Sequence, residues 1–326
     1  MKTSLRGFLF RLLISLGSVG LIVFLMRGKL GEALEILKSG VSWHWVAVAC
    51  LVYLAGLAVI AVRMQYVFRV QQLRVGFWES FYLGFVGLFF NLFFPSAVGG
   101  DVAKAYFAYK YTGKKIESMT SVVLDRLIGL VAMTLMAMIA LFLYSKELND
   151  PRIDRVIYIF MGVMLVIACF LGSRRFARLF RFAAVLIPSS RFKARLAEVY
   201  EAFYGSKDHM SILVLSIVLS LAGQSLFILV NYLLAVSMGI QLKLWIFFVL
   251  IPMIAIISMA PSVGGLGVRE AGSVYLFSHF ISPGSALAFS VLSDILIYGF
   301  SLLSGVLFSL KGGLKSKTIH EMEELE

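Results

Sequence analysis

Apolar runs long enough to cross a lipid bilayer recur along this chain, and no other feature restricts its fold so strongly. A helix needs about 20 mostly apolar residues to cross the ~30 Å hydrocarbon core. Residues 8–26, 43–62, 119–144, 156–172, 211–238 and 284–310 read as six such spans. A soluble core could not bury what they expose, because 60% of the 326 residues are hydrophobic and only 15% are charged; average chains run about 45–50% apolar. The sequence therefore predicts an all-α polytopic membrane protein. The run at 8–26 has basic flanks (Lys2, Arg6, Arg11) but no small-residue cleavage pattern, so it reads as a retained span.

Two further apolar regions are interrupted. Residues 81–94 lead into PSAVGG at 95–100 and then 101–111; residues 244–260 lead into PSVGG at 261–265 and then 266–281. Fourteen helical residues reach only about 21 Å, short of the bilayer core. The first region is therefore expected to enter, break near mid-depth and return as a re-entrant hairpin. The second is expected to be a similar hairpin or two thin spans, giving eight or more membrane segments. With both regions returning to the side they entered, the basic stretches 63–76, 110–118, 173–208 and the tail share one side with the N-terminus. The positive-inside rule then places both termini in the cytoplasm, on the inner face of the cytoplasmic membrane.

The order span, span, broken hairpin, span occupies residues 1–145 and recurs from 146 to 310, with a cytoplasmic segment at 173–208 and a cytoplasmic tail at 311–326. The first set begins inside and ends outside; the second does the opposite. This is the pattern of an inverted-topology repeat, whose sites lie near the midplane.

The broken tips carry the expected chemistry. Irregular backbone inside a membrane must be buried in protein or line a wet cavity. Proline removes a donor, glycine permits close approach, and the returning half-helix begins with free amides suited to anions. The candidate headgroup site comprises Asn91, Pro95, Ser96, Gly99, Gly100, Asp101 and Lys104 from the first hairpin. It comprises Pro261, Ser262, Gly264, Gly265, Gly267, Arg269 and Glu270 from the second, with Asp125, Arg126 and Asp294 from the spans that close each half. Intramembrane charges mark function by default. Structural ion pairs, such as Arg126 with Glu270 or Arg269 with Asp294, are the competing account. Asn91, Gln224 and Asn231 also suit interhelical hydrogen bonds.

The +12 formal charge fits cytoplasmic loops and anionic lipid better than nucleic acid, for which no pattern exists. Residues 174–204 read as two amphipathic helices on the inner leaflet, with a plain linker as the alternative. The four histidines have no metal-ligand spacing, no P-loop or nucleophile elbow occurs, and no metal, cofactor or catalytic residue is expected.

Asn91-Leu92-Phe93-Phe94-Pro95-Ser96, followed by Gly99-Gly100-Asp101 and Lys104-Ala105-Tyr106, resembles the first signature of the flippase-like membrane family, the membrane region of lysylphosphatidylglycerol synthases. Asp125-Arg126 stands where that family usually shows Glu-Arg, and residues 261–270 (PSVGGLGVRE) resemble its second signature. Asp for Glu at 101 and 125, and Lys for Arg at 104, depart conservatively. The resemblance implies a stand-alone membrane region without the soluble transferase domain. It further implies a translocase moving a phospholipid or polyprenyl-phosphate (isoprenoid) lipid between leaflets. A lipid-modifying transferase of the phosphatidylglycerol lysyltransferase type, and a scaffold for envelope lipid enzymes partnered by a lipid synthase, remain alternatives.

Overall fold

The computed structural model describes residues 30–93, 99–148, 162, 209–258 and 267–310. Among them the chain forms nine helices and no strand. In chain order they are α1 (Leu30–Ser39), α2 (Trp43–Val70), α3 (Phe77–Phe93), α4 (Gly99–Thr112), α5 (Lys115–Leu148), α6 (Met210–Ser237), α7 (Leu244–Ile257), α8 (Val268–Phe277) and α9 (Pro283–Leu310). Four of them, α2, α5, α6 and α9, contain stretches long and apolar enough to cross a membrane. The expected spans 8–26 and 156–172 (residue 162 apart), the segment 174–204 and the tail lie outside the described residues.

Both interrupted regions are helix pairs. α3 and α4 flank residues 94–98, α7 and α8 flank residues 259–266, and both tips lie outside the described residues. α3 begins at Phe77 and has 17 residues, about 25 Å of helix, still short of the bilayer core. α7 is only 14 residues long and holds Pro252 in its interior. Turn chemistry sets the ends. Gly113, Gly239 and Gly267 take positive φ values of 70°, 72° and 83°, where a Cβ is disfavoured. Gly267 opens α8, and its N–H donates to the Glu270 carboxylate.

One expectation is corrected. Residues 63–76 were expected to form a basic loop, but α2 continues to Val70. Arg63 is therefore inside a helix and only 6% exposed, while Arg74 lies in the connection between α2 and α3.

Among the described helices, α2 and α6 pack on each other most extensively and run antiparallel. The Ser42 N–H at the start of α2 donates to the Ser237 carbonyl at the end of α6, at 2.7 Å. Further along, Gly56 faces Phe227, Ile60 faces Gly223 and Arg63 reaches Ser220, so the partner number falls as the α2 number rises. The two glycines let the helices cross closely: a Cβ at Gly56 would sit 2.8 Å from the Phe227 ring, and one at Gly223 would sit 2.8 Å from the Ile60 side chain. Helix starts at 43, 77 and 115 are followed by starts at 210, 244 and 283, a near-constant shift of 167 or 168 residues. α3 packs on α2, α4 and α9; α5 packs on α2, α4, α6 and α7; α8 packs on α7 and α9.

Two aromatic clusters pin the short helices. Phe247, Phe277 and Phe289 join α7, α8 and α9, with ring centroids 4.9–6.0 Å apart. Phe90, Phe107 and Phe308 tie α3 and α4 to the end of α9. Ile139, Phe142, Val214, Val218 and Leu302 point outward and exposed, as lipid-facing side chains do. Trp43 and Trp78, exposed at helix starts, suit the headgroup boundary.

Candidate functional site

A cavity of about 320 Å³ lies among α2, α3, α4, α6 and α9. Much of its wall is apolar, with Tyr53, Asn91, Asn231 and Ser293 adding polar groups. Lys104 is the only charged side chain among its described lining residues. The lysine reaches the cavity because α4 sits tightly on α3: a Cβ at Gly87 would overlap the Lys104 stem. The same closeness recurs at Gly100, where a Cβ would overlap the Gly87 carbonyl oxygen and the Asn91 side chain. Asn91 Oδ1 accepts the Gly100 N–H at 2.9 Å, satisfying one of the free amides at the start of α4. On the far wall, Ser293 donates to Asn231 Oδ1 at 3.4 Å, a long contact.

Lys104 belongs to a group of three charges. Asp101, one turn earlier, accepts from Lys104 Nζ at 3.3 Å and from Arg126 Nη1 of α5 at 2.5 Å. One carboxylate thus meets two cations. The stronger geometry belongs to Arg126, which leaves Lys104 loosely held at the cavity wall.

The second hairpin carries the reverse arrangement. Arg269, in the first turn of α8, pairs with Asp294 of α9. Its Nη2 also lies 3.6 Å from Glu270 Oε1 and donates to Tyr298 Oη at 3.0 Å. One guanidinium thus meets two carboxylates. Asp101 and Arg126 are 25 residues apart, as are Arg269 and Asp294, and each pair ties the helix after a break to the long helix that follows. The sign is inverted between them.

A third charged group lies apart from the cavity lining. Arg63 donates to both oxygens of Asp125 at 2.8 and 2.7 Å, and to Ser220 Oγ at 2.8 Å. Gln224 adds a bond to the Gly129 carbonyl at 2.8 Å. This network joins α2, α5 and α6.

The described part of the expected site is therefore divided. Asn91, Gly99, Gly100, Asp101, Lys104 and Arg126 assemble on the first hairpin and α5. Gly267, Arg269, Glu270 and Asp294 assemble on the second hairpin and α9. Asp125 goes to Arg63. Of the two example ion pairs, Arg269–Asp294 forms, and Arg126 pairs with Asp101. Pro95, Ser96, Pro261, Ser262, Gly264 and Gly265 lie outside the described residues. Sequence reasoning missed Arg63, Tyr53, Ser220, Ser293 and Tyr298. For Arg63 a signal existed, since the apolar pattern of α2 continues past it to Val70. Among the described residues no group of acidic, histidine or cysteine side chains is placed to hold a metal ion.

A family model described as "Lysylphosphatidylglycerol synthase TM region" matches residues 8–305. No curated protein gives a significant match, and no solved structure does.

Proposed function

Because the chain belongs to the family of lysylphosphatidylglycerol synthase membrane regions, we propose that this multi-pass membrane protein is a lipid translocase. It moves a phospholipid or polyprenyl-phosphate lipid between leaflets. The observation that carries this reading is Lys104, a cation loosely held by its own carboxylate at the wall of a cavity whose other described lining residues are uncharged. Uncompensated charge in such a place is costly unless it meets a partner, and a lipid phosphate supplies one. A cavity of about 320 Å³ suits a headgroup, while the acyl chains remain in the surrounding lipid.

The two halves act as an inverted-topology repeat in this proposal. Support comes from the constant shift in helix starts and from the antiparallel α2–α6 crossing. The hairpins then enter from opposite faces, and rocking one half against the other exposes the cavity alternately. The N-terminal side, carrying most of the basic loops, is cytoplasmic.

The test uses purified protein in lipid vesicles and reads headgroups in each leaflet with an impermeant label. Lys104→Met should slow movement of phosphatidylglycerol by about 10- to 100-fold, the loss of one charge-assisted hydrogen bond of ~1.5–3 kcal/mol, with folding intact. Movement at the wild-type rate in Lys104→Met would refute the site. Lipid that is covalently altered rather than moved would point to a transferase.

A further inference from the structure

Asn231 of α6 holds its side-chain amide in one orientation. Its Nδ2 donates to the Phe227 carbonyl at 2.9 Å. A carbonyl oxygen can only accept, so the amide nitrogen faces Phe227 and the oxygen, Oδ1, takes its own bonds elsewhere. Among the described residues the donor that reaches Oδ1 is the Ser293 hydroxyl, at 3.4 Å. That hydroxyl has one proton and lies closer to the Phe289 carbonyl, at 3.0 Å. Good O–H···O bonds run from about 2.5 to 3.0 Å. The serine proton therefore goes to Phe289, and Asn231 Oδ1 is an acceptor short of a donor.

Asn231 and Lys104 line the same cavity. The corresponding oxygen of Asn91, also in the wall, is already engaged by the Gly100 N–H at 2.9 Å. An under-used acceptor in a largely apolar cavity suits a ligand that brings a hydroxyl. The charge of the wall points the same way. Lys104 is a cation and no described lining residue is acidic; the nearby Asp101 carboxylate already accepts from Lys104 and Arg126. A headgroup with an ammonium of its own would meet a like charge there and no lining counter-charge.

We propose that Asn231 sets the headgroup selectivity: its Oδ1 accepts a hydrogen bond from a headgroup hydroxyl while Lys104 meets the phosphate. The substrate class is an anionic phospholipid whose headgroup ends in hydroxyls, as a glycerol or a sugar does, and not one that carries an amine or an aminoacyl group. This rests on the translocase reading above and adds its specificity. A site that bonds a hydroxyl disfavours the analogue lacking it, because the acceptor then stays unpaired.

The experiment compares matched lipids in vesicles that hold the purified protein. Phosphatidylglycerol and phosphatidylpropanol have the same charge and nearly the same size, and differ in the headgroup hydroxyls. Each carries a fluorophore on one acyl chain, and an impermeant reductant bleaches the copies in the outer leaflet. The wild-type protein should move phosphatidylglycerol about 2- to 10-fold faster than phosphatidylpropanol, as one neutral hydrogen bond allows. Asn231→Leu should abolish that preference, moving both lipids at one rate. Lysyl-phosphatidylglycerol, labelled in the same way, should move more slowly than phosphatidylglycerol in the wild-type protein. Equal wild-type rates for phosphatidylglycerol and phosphatidylpropanol would overturn the proposal without recourse to any variant, and would leave the translocase reading standing. So would a preference that survives in folded Asn231→Leu, or lysyl-phosphatidylglycerol moving as fast as phosphatidylglycerol. Absence of protein-dependent movement for all three lipids would overturn both.

Discussion

Arg63 grips Asp125 through two nitrogens of its guanidinium, Nε to Oδ1 at 2.8 Å and Nη2 to Oδ2 at 2.7 Å. Both side chains are 7% exposed, and the remaining nitrogen reaches Ser220 across the α2–α6 crossing. A buried pair adds little net stability against an apolar replacement, but removing one partner strands the other charge. Arg63→Ala and Asp125→Ala should each lower unfolding stability in mixed micelles by about 3–5 kcal/mol. The double variant should lose clearly less than the sum of the two. Additive losses would show that the pair does not act as a unit. Arg63→Lys should rescue poorly, because an ammonium cannot hold both oxygens and Ser220 in one plane.

The glycines of the same crossing should respond unequally. At Gly56 an added methyl meets the Phe227 ring, which also lines the cavity; at Gly223 it meets the Cδ1 end of Ile60, which can rotate away. Overpacking costs about 1–3 kcal/mol when neighbours cannot yield. Gly56→Ala should therefore destabilise the protein more than Gly223→Ala. Phe227→Leu should recover part of the Gly56→Ala loss. Thermal unfolding of the four proteins in one detergent checks the order.

The helix pairs α3–α4 and α7–α8 were legible in the sequence because Pro and Gly interrupt both apolar runs, and that signal needs no knowledge of side-chain partners. The partners of the charges were not legible. Asp125 and Arg126 are neighbours in sequence but stand about 100° apart around a helix, so one turns to Arg63 and the other to Asp101. Nothing in their order tells which carboxylate faces the cavity. Arg63 was hidden for a different reason. A charge near the end of an apolar run reads as the membrane boundary, whereas the helix runs on for seven residues to Val70. The reversed signs of Asp101–Arg126 and Arg269–Asp294 were present at equal spacing, but only the folded pairs make that spacing meaningful.

Orientation has a direct check in cysteine labelling, on a background with Cys50 and Cys169 replaced by alanine. Arg74 follows the end of α2, and Lys243 follows the end of α6; both are exposed. Because α2 and α6 are antiparallel, these positions lie at opposite ends of the bundle. Lys243→Cys should react with an impermeant maleimide on intact cells. Arg74→Cys and Lys114→Cys should react only after permeabilisation. Labelling of positions 74 and 243 from the same side would contradict an antiparallel pair crossing the membrane, and with it the inverted repeat.

Gly84 and Gly100 both lie in the first hairpin, and alanine should have opposite effects at the two. Nothing lies within 4 Å of a Cβ built at Gly84, and helix propensity favours alanine there by about 0.5–1 kcal/mol. Gly84→Ala should be neutral or stabilising. At Gly100 the added carbon meets the Gly87 carbonyl oxygen, which is backbone, and the Asn91 side chain that accepts the Gly100 N–H. Neither can move without parting α3 from α4, so Gly100→Ala should cost about 1–3 kcal/mol. It should also loosen Lys104 from the cavity wall, slowing lipid movement beyond what the stability loss explains. Asn91→Ala separates the two effects. It leaves the buried Gly100 N–H without its acceptor, at about 1–3 kcal/mol, but keeps the α3–α4 approach that positions Lys104. Unfolding and vesicle assays on the same preparations should therefore show Gly100→Ala losing more transport than Asn91→Ala at similar stability. Equal transport in the two would mean that the close approach of α4 to α3 does not set the position of the lysine.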